Sequence, residues 1–263
     1  MVTVYKHELK TNIKSLLIWC ICVGGMGLAC ILLFSGMKSD MEGMADTFAS
    51  MGAFSDAFGM SQLSIATLSG FYAAEVGTIH GLGGAMFAAI LSTVMLSKEE
   101  DGHTSEFLFS LPISRQKVVL AKWLAVLSHV ILFNLLCTAL YAAGFTVLGE
   151  EMPVREFLIY HGMQIVMQSE LAAICFGISS FMKKNRLGIG LGIILLFYAY
   201  DLIARVIPDL SDYKCISPFS YANAADILST GKVPVTASVI GVSLLLLGIG
   251  TAFTVYGRRD LAA

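Results

Sequence analysis

The stretch SLLIWCICVGGMGLACILLF, Ser15–Phe34, decides the fold. It carries no charged side chain. A helix of this length rises about 30 Å, the thickness of a bilayer's hydrocarbon core. No A-x-A-like cleavage site follows it, so it reads as a span rather than a signal peptide. Five further apolar runs extend the pattern, at 76–97, 118–148, 157–182, 187–207 and 235–256. Composition agrees: 56% of the residues are hydrophobic and 14% charged, against about 25% charged in soluble domains. A chain this apolar cannot cover a water-facing surface, so lipid is its solvent. In lipid a helix satisfies its own backbone. The expectation is an all-α membrane protein, a six-transmembrane-helix bundle forming one domain over 1–263.

Orientation follows from lysine and arginine, which favour the cytoplasmic side. With both termini cytoplasmic, the inner segments hold Lys6, Lys10, Lys14, Lys98, Arg115, Lys117, Lys122, Lys183, Lys184, Arg186, Arg258 and Arg259. The outer side keeps Lys38, Arg155, Arg205, Lys214 and Lys232. The net charge of -2 offers no basic excess for nucleic acid. The six cysteines show no disulfide framework or zinc spacing.

Two segments between spans carry a pattern of their own. In 41–68, Met41, Met44, Phe48, Met51, Phe54 and Phe58 recur at steps of three and four. That is the apolar stripe of an amphipathic helix at the outer interface. It serves either as a packing lid or as a gate touching substrate. The second segment, 98–117, reads KEEDGHTSEFLFSLPISRQK. Gly102 allows a sharp turn after the acids. Thr104 or Ser105 can cap a short helix, with Glu106 in its first turn. Phe107, Leu108 and Leu111 give that helix apolar contacts, Pro112 stops it, and Ser114 can cap the next. It reads either as a docking helix for a partner or as a solvated charge cluster.

This run resembles the signature of ABC-2 type exporter permeases, carried by Glu99, Glu100, Gly102, Thr104, Glu106, Leu108, Leu111, Pro112, Ser114 and Arg115. His103 stands between Gly102 and Thr104, where the family usually reads Gly-Thr directly. The short basic N-terminal helix, the long first outer segment and the terminal Tyr256-Gly257-Arg258-Arg259-Asp260-Leu261 also match the family habit. The resemblance implies a permease subunit of an ATP-driven exporter in a bacterial cytoplasmic membrane. It implies a second copy, or a similar permease, as the other half of the pathway. ATP and Mg would be bound by a separate cytoplasmic ABC ATPase. The segment 98–117 would be the coupling helix seated on that ATPase, with Glu99, Glu100, Gly102, Thr104, Glu106, Phe107, Leu108, Leu111, Pro112 and Arg115 as coupling residues. Lys6–Lys14 would belong to an elbow helix at the inner surface. The substrate class implied is hydrophobic or amphipathic: a drug, peptide or lipid-like compound.

The chain itself lacks G-x-x-x-x-G-K-[ST], H-E-x-x-H and G-x-S-x-G, so ATP binding or hydrolysis has no recognisable residues here. It reads as a transport subunit and not an enzyme. Polar residues inside spans are candidates for the substrate path, because charge in lipid is costly. These are Gln164, Gln168 and Glu170, with His129 and Asn134. Glu170 either faces a polar cavity or bonds to a neighbouring helix. As a proton site it would instead suit an ion-gradient-driven transporter. A non-transporting assembly factor is the third class. Asp201 and Arg205, four apart, predict a structural ion pair. Gly77 with Gly81, and Gly188 with Gly192, form G-x-x-x-G pairs for close helix contact.

Overall fold

The structure, a computed structural model, describes residues 1–110 and 112–259, apart from the Phe107 and Phe109 side chains. Leu111, the Phe107 side chain and the terminal Asp260-Leu261 pair therefore lie outside the described residues. The described chain is helical throughout its long elements. Helix α1 (Val2–Trp19) runs through a π-helical turn, Cys20–Gly25, into α2 (Met26–Ala49) without a break. The separate N-terminal elbow helix is thus corrected: Lys6–Lys14 and the first span belong to one continuous helix, Val2–Ala49. Its length, about 72 Å at 1.5 Å per residue, exceeds a bilayer core of about 30 Å, so the helix cannot lie wholly within the apolar layer as a single crossing.

The outer stripe is corrected too. It does not form one helix over 41–68. The helix ends at Ala49, Gly52 takes φ 57, and a short α3 follows at Ala53–Phe58. The left-handed glycine reverses the chain, which no continuing helix tolerates. Met41, Phe48 and Phe54 still share a surface. With Met37, Met60 and Phe71 they line a cavity of about 390 Å³.

Next, α4 (Leu68–Phe71) leads through a second π-helical turn, Tyr72–Val76, into α5 (Gly77–Thr93). Two short helices follow, α6 (Lys98–Asp101) and α7 (Ser105–Ser110), before the long α8 (Arg115–Leu148). Then come α9 (Val154–Ser179) and α10 (Leu187–Val206), separated at Lys183–Arg186 as the sequence predicts. Two 3-10 turns, Pro208–Ile216 and Pro218–Tyr221, lead to α11 (Ala224–Thr230) and α12 (Val235–Arg258). Among the described residues, five helical segments are long and apolar enough to cross a membrane: Val2–Ala49, Leu68–Thr93, Arg115–Leu148, Leu187–Val206 and Val235–Arg258. This is an all-α, multi-span membrane protein.

The fourth expected span forms the 26-residue α9 but is not among those five. Its position explains its composition. It packs against α5, α8, α11 and α12, and Tyr160, His161, Gln164, Gln168 and Glu170 are all buried there. A helix walled in by other helices can keep polar side chains that a lipid-facing one cannot. The lipid-like surface lies elsewhere: Ile21, Leu196 and Leu246 are each more than 60% exposed. Around α9 the core is aromatic, with Tyr72, Phe133, Tyr141, Phe145, Phe157 and Phe176 fully buried.

Close approach between α9 and α12 depends on glycine. A Cβ on Gly248 would stand 2.4 Å from the Ala173 carbonyl oxygen, and one on Gly177 would stand 2.8 Å from the Gly248 carbonyl oxygen. The predicted glycine pairs behave differently. Gly77 packs on Ala224, whereas Gly188 and Gly192 face open space.

Candidate functional site

The segment 98–113 emerges at the end of the bundle where α1 begins and α12 finishes. Its turn is not made as the sequence predicts. Gly102 sits at φ -88, and the left-handed residue is His103, φ 52. Histidine is among the few non-glycine residues that enter this region with any frequency. The residue inserted between Gly102 and Thr104 is therefore the one that turns the chain. Gly102 serves a different need: a Cβ there would meet the Lys98 carbonyl oxygen at 3.0 Å, and its own N–H donates to that oxygen at 2.9 Å. The Thr104 N–H returns to the Glu99 carbonyl at 2.8 Å and closes the turn. From there α7 projects outward, with Thr104, Glu106 and Pro112 exposed. Thr104, Leu108, Pro112 and Ile113 line a groove of about 580 Å³ against Val4 and His7 of α1.

The two acids at the root of this segment turn inward. Glu99 pairs with Lys122 of α8, a lysine with no exposed surface. Lys122 also reaches Glu8 of α1 at 3.7 Å and donates to the Met95 carbonyl at 2.5 Å. Glu8 in turn pairs with Lys98. The neighbouring Glu100, 5% exposed, pairs with Arg259 just beyond α12. Arg259 donates to the carbonyls of Ser180 at 2.7 Å and Met182 at 3.0 Å. Its own carbonyl accepts from Arg115 at 2.5 Å. Burial pulls the Arg259 pKa below its ordinary value, yet a guanidinium stays charged at neutral pH.

Within the bundle, three of the predicted path residues join in one chain of hydrogen bonds. Gln164 donates to the Ala222 carbonyl at 2.8 Å, and Gln168 donates to Gln164 at 3.2 Å. Asn134 of α8 donates across to Gln168 at 2.7 Å. His80 of α5 donates through Nε2 to Asn134 Oδ1 at 3.0 Å. Tyr141 Oη lies 3.4 Å from the other His80 ring nitrogen and donates to the Val23 carbonyl at 3.3 Å. Beside it Tyr72 bonds His161 at 2.8 Å. The chain ties α5, α8 and α9 to the first helix. Every one of its side chains is buried.

His129 and Glu170 stand apart from it. His129 bonds the Ala125 carbonyl of its own helix at 2.8 Å. Glu170 accepts from Tyr221 at 2.5 Å and lies against α12, where a Cβ on Gly241 would come within 2.4 Å of it. Replacing Asn134 with leucine strands both Gln168 and His80. Loss of about 1–2 kcal/mol of stability is expected, above the usual interhelical bond in membranes because two buried partners are orphaned. Denaturant unfolding in detergent micelles measures it.

The family profile described as ABC-2 family transporter protein matches residues 2–261. The chain belongs to that family. No curated protein matches it as a relative. Members of the ABC-2 family are non-catalytic transport subunits that embed in a membrane and generally pair with an ATPase subunit. Among the described residues of this ABC-2 protein, no group of three or more His, Cys, Asp or Glu could hold a metal ion.

At the opposite end of this ABC-2 protein, Arg205 Nε lies 2.8 Å from Asp201 and its Nη1 lies 3.0 Å from Asp226 of α11. Gln62 donates to the same Asp226 at 2.9 Å, and Lys38 pairs with half-buried Glu150 at 3.0 Å. The functional groups that sequence reasoning missed are Glu8, His80, Tyr141, His161 and the role of Arg259. A signal existed for two of them. Glu8 is the one acid among Lys6, Lys10 and Lys14, and His80 is the one ionisable residue of the 76–97 run.

Proposed function

We propose that this chain is the membrane-spanning permease subunit of an ATP-driven ABC exporter. In this reading α9 crosses the membrane as well, giving six spans in one domain with both termini in the cytoplasm. The orientation rests on the lysine and arginine bias. The segment 98–117 is then the coupling helix, pressed on by a separate ATPase that binds ATP and Mg. A second copy, or a similar permease, completes the pathway for a hydrophobic or amphipathic substrate across a bacterial cytoplasmic membrane. In this reading the buried polar chain through Gln164, Gln168 and Asn134 is the candidate lining of that pathway.

One observation carries the reading: a short projecting helix whose root is fixed by buried ion pairs while Thr104, Glu106 and Pro112 around it stay exposed. A solvated charge cluster would leave Glu99 and Glu100 in water. The coupling residues therefore divide by task. Glu99, Glu100, Gly102 and Arg115 hold the segment, whereas Thr104, Glu106, Leu108 and Pro112 meet the partner.

The test is Leu108→Glu, which puts a charge into the apolar side of the segment without touching its root. Burying an unpaired carboxylate at a docking surface costs several kcal/mol. Co-purification of the ATPase subunit is expected to fall about tenfold or more, because every 1.4 kcal/mol is tenfold in affinity. The variant should still fold and insert. Unchanged ATPase recovery would remove the coupling assignment.

A further inference from the structure

We propose that Arg259 is the positioning residue through which the coupling segment moves the membrane helices. It fastens the root of that segment to the ends of α9 and α12 with a single guanidinium. The proposal rests on the coupling reading above and adds the route by which a push would travel.

Adjacent acids at the root hold two different anchors. Glu99 reaches Lys122, and so α8 and the first helix. Glu100 reaches Arg259, and so α12 and α9. The second anchor is the more concentrated. Arg259 Nη2 takes Glu100, while Nη1 takes the Ser180 and Met182 carbonyls at 2.7 and 3.0 Å. Those carbonyls lie at and just past the end of α9, where helix oxygens have no partner within the helix and a cation is favoured. The backbone of Arg259 is held by Arg115, the first residue of α8, at 2.5 Å. Its guanidinium also lies 5.9 Å from the centre of the Tyr256 ring.

Few side chains could serve this junction. A planar fork can meet a carboxylate along one direction and carbonyls along another, whereas an ammonium is a compact point charge. The pair is no loose surface contact, since Glu100 is 5% exposed and the Arg259 side chain 14%. A displacement of α6 must therefore either break the Glu100–Arg259 pair or carry the ends of α9 and α12 with it. The polar chain of Gln164 and Gln168 lies on that same α9, so the route leads to the interior of the bundle.

Hydrogen exchange of the full chain in lipid nanodiscs tests the fastening. In Arg259→Ala, amides of 98–110 and of Ser180–Met182 are expected to exchange about tenfold faster, because a local tie has been lost while the spans remain folded. Arg259→Lys keeps a charge for Glu100 and loses the fork, so only the Ser180–Met182 amides should speed up. Arg258→Ala, at an exposed neighbour of equal charge, should change nothing. Exchange in Arg259→Ala that stays within roughly twofold of wild type overturns the fastening.

The same measurement on the complex with its co-purifying ATPase tests the route. ATP and Mg should alter exchange at both 98–110 and the end of α9 in the wild type, but only at 98–110 in Arg259→Ala. A nucleotide response at the end of α9 that survives in Arg259→Ala overturns the route and leaves the coupling reading standing. If no ATPase co-purifies with the wild type, the coupling reading itself fails, and the route fails with it.

Discussion

Lys122→Ala is expected to destabilise the protein by about 3–5 kcal/mol, the cost of removing one partner from a buried ion pair. Lys122 is fully buried and holds together groups from three elements: Glu99 of α6, Glu8 of α1 and the Met95 carbonyl between α5 and α6. Its removal leaves two carboxylates sharing one pocket. Only Glu8 keeps a second cation, Lys98, which is itself part-exposed. The loss should appear as a lowered unfolding midpoint in detergent micelles. Lys98→Ala should cost much less, within about 1 kcal/mol, because a part-exposed partner gives up less on removal. Equal losses in the two variants would mean that the cluster is solvated and that burial does not govern it.

Gly248→Leu is the second large effect expected, about 3 kcal/mol or more from overpacking. Leucine is the better helix former by nearly 1 kcal/mol, so propensity alone favours the change. Packing decides against it. The new Cβ would stand 2.4 Å from the Ala173 carbonyl oxygen and 3.0 Å from the Ile174 nitrogen, both backbone atoms that cannot swing aside. The α9 and α12 helices would have to separate. Gly250→Ala gives the control within the same helix, since nothing lies within 4 Å of its Cβ position. That variant should be neutral or slightly stabilising. Thermal unfolding of both in nanodiscs makes the comparison, and matching midpoints would sink the packing argument.

The five long apolar helical segments were legible because lipid imposes a simple demand, an unbroken apolar run of sufficient length; the run at 157–182 forms a helix but does not meet that demand. The continuity of the first helix was not. Its sequence changes character from basic to apolar to Met-rich, which reads as three elements in three solvents. A helix backbone continues wherever no proline or left-handed residue stops it, and the first such stop is Gly52. The far-end stripe was misread for the converse reason, since its spacing of three and four runs straight across that glycine.

At the candidate site, the acids of the 98–117 segment were visible, but the places they turn to were not. Glu99 meets a lysine on the next helix, and Glu100 meets an arginine at the other end of the chain. No local pattern reports a contact of that separation. The interior chain was partly legible in the same way. Gln164 and Gln168 share a helix face by spacing, whereas His80 joins them only through the relative height of two helices. His129 sits in a polar position by sequence and spends its bond on its own backbone. The Asp201 and Arg205 spacing sufficed because both partners lie one turn apart.

The unbroken first helix, Val2–Ala49, has a mechanical consequence. A rod about 72 Å long that rocks by about 5° around its middle sweeps its two tips roughly 3 Å in opposite directions. Glu8 harnesses the lower tip to Lys98 and Lys122, while Met41 and Phe48 near the upper tip wall the cavity at the far side. A small swing at one end of the rod would thus resize a chamber at the other, with the π-helical turn at Cys20–Gly25 as the natural fulcrum.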